Sequence, residues 1–177
     1  MTEAIRILIT GMSGVGKTTI VRALRNLGWH TLDMDEPGWA FFDEHGHQRW
    51  DKARLQQLMD EERNLPLFVC GCSEDQVAFY PQFTKIILLS APQAVIEHRL
   101  ASRTDNAYGK RPGELRRVLQ ELHEIEPLLR KRATHEIVTT QPIEAVLARI
   151  IALCDLPPEP ASGPSSLPIT RGVPPKA

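Results

Sequence analysis

The stretch Gly11-Met12-Ser13-Gly14-Val15-Gly16-Lys17-Thr18 fits the pattern G-x-x-x-x-G-K-[ST], in which residue types and spacing suit the grip of a phosphate chain. Several backbone N–H groups must wrap one anion, in conformations closed to residues with a Cβ, and Gly11, Gly14 and Gly16 supply that freedom. Lys17 adds a point charge for the β- and γ-phosphates, and Thr18 offers a hydroxyl to Mg²⁺. Ser13, Val15 and Thr19 complete the expected nucleotide-binding set. A second constellation is Asp33-Met34-Asp35. Two carboxylates two residues apart at a strand end splay around its exit and can do different jobs. Asp33 is expected to orient the metal and its water, and Asp35 to orient or deprotonate an attacking hydroxyl.

A third group is Tyr108-Gly109-Lys110-Arg111-Pro112-Gly113, a flexible segment with two cations, suited to a short lid over about 103–113 that closes on a phosphoryl group and excludes water. Arg111 would set its planar guanidinium on γ-phosphate oxygens. Between Glu36 and Asp51 stand Trp39, Phe41, Phe42 and Trp50, and Trp39 is a candidate to line a pocket for the acceptor, in a segment of about 36–64. His45 and His47 lack a third ligand at metal spacing and are read as turn residues. Cys70 ends the third strand, where many phosphate-loop proteins carry an acid, so metal positioning falls to Thr18 and Asp33. As a thiol without an adjacent base it reads as a packing residue.

These groups need a scaffold, and the apolar pattern supplies one. Ile5 to Ile9 is a β-branched run that ends at Thr10-Gly11, as a strand buried on both faces should. Ile20, Ala23, Leu24 and Leu27 recur at helical spacing, with Gly28 as the residue past the helix end. Further strands are expected at 29–34, 65–70, 85–89 and 135–140. Helices are expected over 51–63, from Pro92 through Leu100, over 114–129 with Pro127 kinking or ending it, and from Pro142 through Leu153. Strands alternating with helices predict an α/β fold of three layers, a five-stranded parallel sheet flanked by helices.

The length of 177 residues, with 42% hydrophobic and 24% charged, allows one domain. The formal charge of −1 leaves no global basic field for nucleic acid or an anionic membrane, so neither is expected as a partner. No apolar run reaches spanning length and the start turns to glycine early, which predicts a cytoplasmic protein. Three cysteines without zinc spacing are read as reduced thiols. Residues 156–177 hold half of the chain's 14 prolines and little that fills a core, so a mobile tail is expected after a folded unit of 1–155. Asp35 to Gly38 also spells D-x-x-G, a GTPase element, but it lies too close to the phosphate loop for a switch and no N-K-x-D follows. The remaining rivals are a phosphotransferase and a nucleotide-binding regulator or weak ATPase without a small acceptor.

From Ile5 to Leu153 the sequence resembles the small phosphate-loop kinases, the group that includes shikimate kinases and nucleoside monophosphate kinases. GMSGVGKTT followed by LDMDE is similar to the phosphate loop and D-x-D of shikimate kinase. That resemblance implies Asp33 toward Mg²⁺ and Asp35 on the acceptor hydroxyl, Arg103 beside adenine, Arg111 in the lid and Arg130 on the acceptor. Thr140-Gln141-Pro142 resembles the adenine-flanking loop, which brings Pro142 to the nucleotide, and Gly71 is what remains of a triple-glycine acceptor turn. Arg49-Trp50-Asp51-Lys52-Ala53-Arg54 departs from the arginine and glutamate expected on the acceptor helix, and Arg49 or Arg54 is a candidate for an acceptor phosphate. The Val69-Cys70-Gly71-Cys72 turn also resembles nucleotide kinases related to adenylate kinase. The implied function is an ATP- and Mg²⁺-dependent phosphotransferase acting on a small acceptor. A nucleoside monophosphate is slightly favoured and a shikimate-kinase-like metabolite hydroxyl is the alternative; the oligomeric state is left open.

Overall fold

In the computed structural model, which describes residues 4–61, 66–104 and 106–160, β1 (Arg6–Thr10) lies at the centre of a parallel sheet. Its neighbours are β5 (Leu67–Cys70) and β6 (Lys85–Ser90), with β2 (His30–Asp33) and β7 (His135–Val138) at the two edges, giving the order β2-β5-β1-β6-β7. The pairings Ile9 with Cys70 and Asp33 with Cys70 bring the ends of β1, β2 and β5 to one edge. Thr10 and Asp33 therefore stand on the same rim of the sheet, 23 positions apart in the chain.

Alternation along the strands builds two cores. Ile7, Ile9, Phe68 and Cys70 face one way, toward Ile20, Val21 and Leu24 of α1 (Lys17–Asn26). Leu8, Leu67 and Val69 face the other way, toward Leu55 and Met59 of α2 (Lys52–Asp60) and Phe79 of a 3₁₀ helix over Glu74–Gln82. The first core also takes in Ile96 and Leu100 of α3 (Gln93–Ser102), Val118 of α4 (Pro112–Glu124), Leu129 of α5 (Glu126–Arg132) and Val146 of α6 (Ile143–Leu153). Burial of each such aliphatic side chain contributes about 1.5–3 kcal/mol, which is why these short helices hold without strong capping. The result is the expected three-layer α/β fold.

Differences from the expected elements have local causes. The helix anticipated over 114–129 is two helices, broken at Ile125, with Pro127 in the first turn of α5 where its missing N–H costs nothing. Asp51 is not helical but caps α2, its carboxylate accepting from Arg54 N–H at 3.0 Å. Pro92 likewise caps α3 from outside. A hairpin of β3 (Ala40–Phe42) and β4 (Gln48–Trp50) fills the aromatic segment after β2. Its turn is closed by Asp43 Oδ1, which accepts from the N–H groups of His45 and His47 at 3.0 and 2.9 Å. Residues 62–65, part of the expected second helix and third strand, lie outside the described residues, as does the expected tail beyond Pro160. Leu156 packs against the first core, so ordered chain continues past Cys154. Among the described residues no helix is long and apolar enough to cross a membrane.

Candidate active site

The phosphate loop is shaped by three glycines at positive φ, and Gly11 shows the reason most sharply. A Cβ there would lie 2.4 Å from the Leu89 carbonyl oxygen, so only glycine lets the loop lie against β6. Gly16, at φ 103°, is the N-cap of α1 and carries no side chain to cap the helix; the first turn also contains no acid. The first-turn N–H groups are therefore claimed by no capping side chain, and the positive end of the helix dipole faces the loop: an anion site built by omission. Lys17 Nζ donates to the carbonyls of Gly11 and Met12 at 2.6 and 3.0 Å, which holds its charge over the loop.

An open cleft of about 660 Å³ runs from this loop to the end of β2. Ser13, Gly14, Val15, Gly16, Lys17, Thr18 and Thr19 line it, and so do Asp33, Asp35 and Arg103. Gly11 is buried beneath the loop. Pro142 caps α6, and its neighbours Gln141 and Ile143 reach the cleft wall in its place.

Asp33 is 4% exposed and its Oδ1 accepts from Asp35 N–H at 3.0 Å. Burial is the main reason its pKa is raised; the Asp35 N–H opposes that, and the charges of Asp35 and Glu36 add to it. A buried carboxylate with a raised pKa and the Thr18 hydroxyl line one cleft, and both are hard-oxygen donors that suit a divalent cation. Asp35 is exposed, and its Oδ1 accepts from Gln48 Nε2 of β4 at 2.9 Å. The hairpin thus reaches back to the D-x-D. Cys70 is fully enclosed, and desolvation followed by the nearby Asp33 charge pushes its thiol far up, so it is an inert packing group.

The lid side differs from the expectation. Arg103 donates to the backbone carbonyls of Asn106 (3.1 Å) and Tyr108, and so braces the start of the lid as well as lining the cleft. Arg111 is exposed at the N-cap of α4 and is absent from the cleft wall; its N–H and that of Gly109 point to the Glu114 carboxylate. The guanidinium that does reach the loop is Arg99, which the sequence reading missed. It donates to Val15 O at 3.2 Å, Thr139 Oγ1 at 2.9 Å and Thr139 O, while Thr139 Oγ1 donates to Val15 O at 2.6 Å. Arg99 lies in the last turn of α3 and Arg103 just past its end, and a four-residue spacing of this kind could have signalled two arginines near one site.

The other expected acceptor residues are not gathered in the cleft. Trp39 lies under the Arg54 guanidinium, 3.9 Å from ring centroid to Cζ, in a cation–π stack. Gly71 is wedged between Met34 and Trp50, where a Cβ would fall 2.9 and 3.0 Å from their side chains, so packing explains it. Arg130 is taken by two carboxylates, Glu126 at 2.6 Å and Glu136 at 2.8 Å, and stands outside the cleft wall. That pairing, the hydrogen bond to Glu136 first, pushes its pKa up. The residue expected to hold the acceptor is thus engaged with protein carboxylates.

Residues 7–128 match the family model described as AAA domain. The chain belongs to the AAA domain family. It shares the fold of small phosphate-loop kinases. It is 29% identical over 167 residues to shikimate kinase 2 of Yersinia enterocolitica, across 82% of this chain and 92% of that protein. Two solved structures share its fold. Shikimate kinase from Bacteroides thetaiotaomicron superposes with TM-score 0.62 at 23% identity, covering 86% of this chain and 99% of that one. A gluconokinase from Sinorhizobium meliloti does so with TM-score 0.56 at 17% identity, covering 88% and 94%.

Proposed function

We propose that this AAA domain protein transfers the γ-phosphoryl group of ATP, with Mg²⁺, to a hydroxyl of a small metabolite. The observation that carries the reading is the shared cleft: the phosphate loop lies at one end and the Asp33–Asp35 pair at the other. The loop N–H groups and Lys17 hold the triphosphate. Thr18 and Asp33 have the right donor chemistry to hold Mg²⁺, which when bound neutralises phosphate charge. Asp35, exposed and steadied by Gln48, accepts the hydroxyl proton. The hydroxyl oxygen forms a bond to the γ-phosphorus, the bond from that phosphorus to the β–γ bridging oxygen breaks, and ADP leaves with the electron pair.

The nucleoside monophosphate acceptor favoured from sequence gives way to the hydroxyl acceptor. A transfer to phosphate needs no proton acceptor, whereas the Asp35 carboxylate beside Gln48 supplies one for a hydroxyl, and the relatives include a shikimate kinase and a gluconokinase. Incubation with labelled ATP and a panel of hydroxyl metabolites beside nucleoside monophosphates tests this. Label is expected on a hydroxyl compound; hydrolysis alone throughout the panel would make the protein a weak ATPase or regulator instead.

A further inference from the structure

Among the described residues around the acceptor end of the cleft, four cations, Arg25, Arg49, Lys52 and Arg130, are matched by protein carboxylates. Arg49 lies against Asp75 at 2.7 Å and against Glu74, and Lys52 reaches the same Asp75 oxygen at 3.2 Å. The second Asp75 oxygen accepts from Trp50 N–H at 3.0 Å, so this group of two cations and two anions is closed. Arg25 holds Glu36 at 2.8 Å. Arg130 faces both Glu126 and Glu136. To draw Arg49 toward a substrate carboxylate would leave Asp75, which is 5% exposed, to Lys52 and the Trp50 N–H alone.

Arg54 is the exception, since its partners among the described residues are neutral. It is nevertheless held flat on the Trp39 ring, with Nη1 2.5 Å from the Gly38 carbonyl and so close that a Cβ on Gly38 would lie 2.8 Å from it. Against these matched cations stand Asp33 and Asp35, in a cleft wall whose own cations, Lys17, Arg22, Arg99 and Arg103, come from the phosphate loop, α1 and the end of α3. At the Asp33–Asp35 end of that wall a carboxylate or phosphate on the acceptor would arrive beside acids.

What the acceptor end does offer is the Asp35–Gln48 pair. With Asp35 Oδ1 and one Gln48 N–H satisfied by each other, the pair still presents a carboxylate oxygen, an amide oxygen and an amide N–H. That is a set of two acceptors and one donor, which neighbouring hydroxyl groups can satisfy and a carboxylate, with no hydrogen to give, cannot. We infer that the acceptor is a polyhydroxylated compound bearing no carboxylate or phosphate, its hydroxyls held by Asp35 and Gln48 while the nearby arginines remain in their ion pairs. This rests on the hydroxyl-kinase reading above and narrows its substrate class, away from the acid acceptors of the named relatives.

The test uses the full chain with Mg·ATP and matched compounds: polyols, sugars and nucleosides, each beside a hydroxy acid or phosphate ester of the same skeleton. Transfer of label is measured as kcat/KM, and binding in the presence of Mg·ADP by thermal shift. At least a tenfold preference for the uncharged member of a pair, in both measurements, is expected. Equal or better use of the charged member would overturn the inference and leave the hydroxyl kinase standing, whereas the absence of transfer and of any shift across the panel would remove both. Arg54→Met is expected to keep the preference unchanged. If that variant instead selectively lost activity toward charged members, Arg54 would be their anchor and the inference would fall.

Discussion

Arg99 and Thr139 are joined twice, guanidinium to hydroxyl at 2.9 Å and guanidinium to carbonyl, and both reach Val15 O in the phosphate loop. Three separate parts of the chain, the loop after β1, helix α3 and the end of β7, are thereby tied at one point. Arg99→Met should remove these bonds while keeping the aliphatic bulk. The expected outcome is a KM for ATP raised about tenfold, and a stability loss of roughly 1–3 kcal/mol for polar groups left without partners. Denaturant unfolding and a KM-against-kcat comparison check it; a fall in kcat with KM unchanged would count against this positioning role.

Lys17 behaves differently because its bonds to Gly11 and Met12 carbonyls are partly exposed and replaceable by water. Lys17→Met should change stability by about 1 kcal/mol or less. Transfer should fall by about 10²–10³-fold, the usual loss when one preorganised charge is taken from a developing transition state. Single-turnover rates with labelled ATP separate the two effects.

Asp35→Asn keeps the acceptor atom that receives Gln48 Nε2 but loses basicity. Turnover should drop by about 10²-fold or more if the carboxylate takes the hydroxyl proton. ATP affinity, read by calorimetry, should hardly move. Equal losses in both would place Asp35 with the nucleotide rather than the acceptor.

Asp75 gives a pH signature. Burial raises its pKa, but the Trp50 N–H, Lys52 and Arg49 together outweigh that and leave it below the ordinary value of 3.8. A depressed carboxylate contributes stability that is present above 3.8 and is lost as pH falls through the lower folded value. Asp75→Asn should therefore be less stable than the parent at neutral pH, by roughly 1–3 kcal/mol, and the gap should narrow on acidification below 3.8. Thermal melts of both proteins across pH 7 to about 2.5 check the direction; a gap that widens in acid would refute the linkage.

The sheet and the phosphate loop were legible because they rest on local grammar: β-branched runs such as Ile5 to Ile9, and glycines that only a phosphate nest requires. The hairpin was not, because Ala40–Phe42 and Gln48–Trp50 are three-residue strands set by the Asp43 turn, too short for a period of two to register. The 3₁₀ helix was hidden by Pro81 within it. On the candidate site, the sequence put Arg111 and Arg130 where their neighbours in the chain suggested. Glu126 stands four residues before Arg130 on α5, a pairing that spacing can show, whereas Glu136 comes to Arg130, and Thr139 to Arg99, only through the pairing of β6 with β7 and the packing of α3 and α5. Partner choice of that kind is a tertiary property, invisible to spacing.

The phosphate loop hangs from the innermost strand of the sheet, whereas Asp33 ends the outermost one, with Asp35 just beyond it, and that strand is bonded on a single flank. Changes of length or composition in the hairpin that follows it can be absorbed at the margin, with one neighbouring ladder to adjust. The nucleotide grip, hemmed by strands on both sides, has no such latitude. Variation in the segment after Asp33 is thereby borne at the margin of the sheet, away from the strand that carries the phosphate loop.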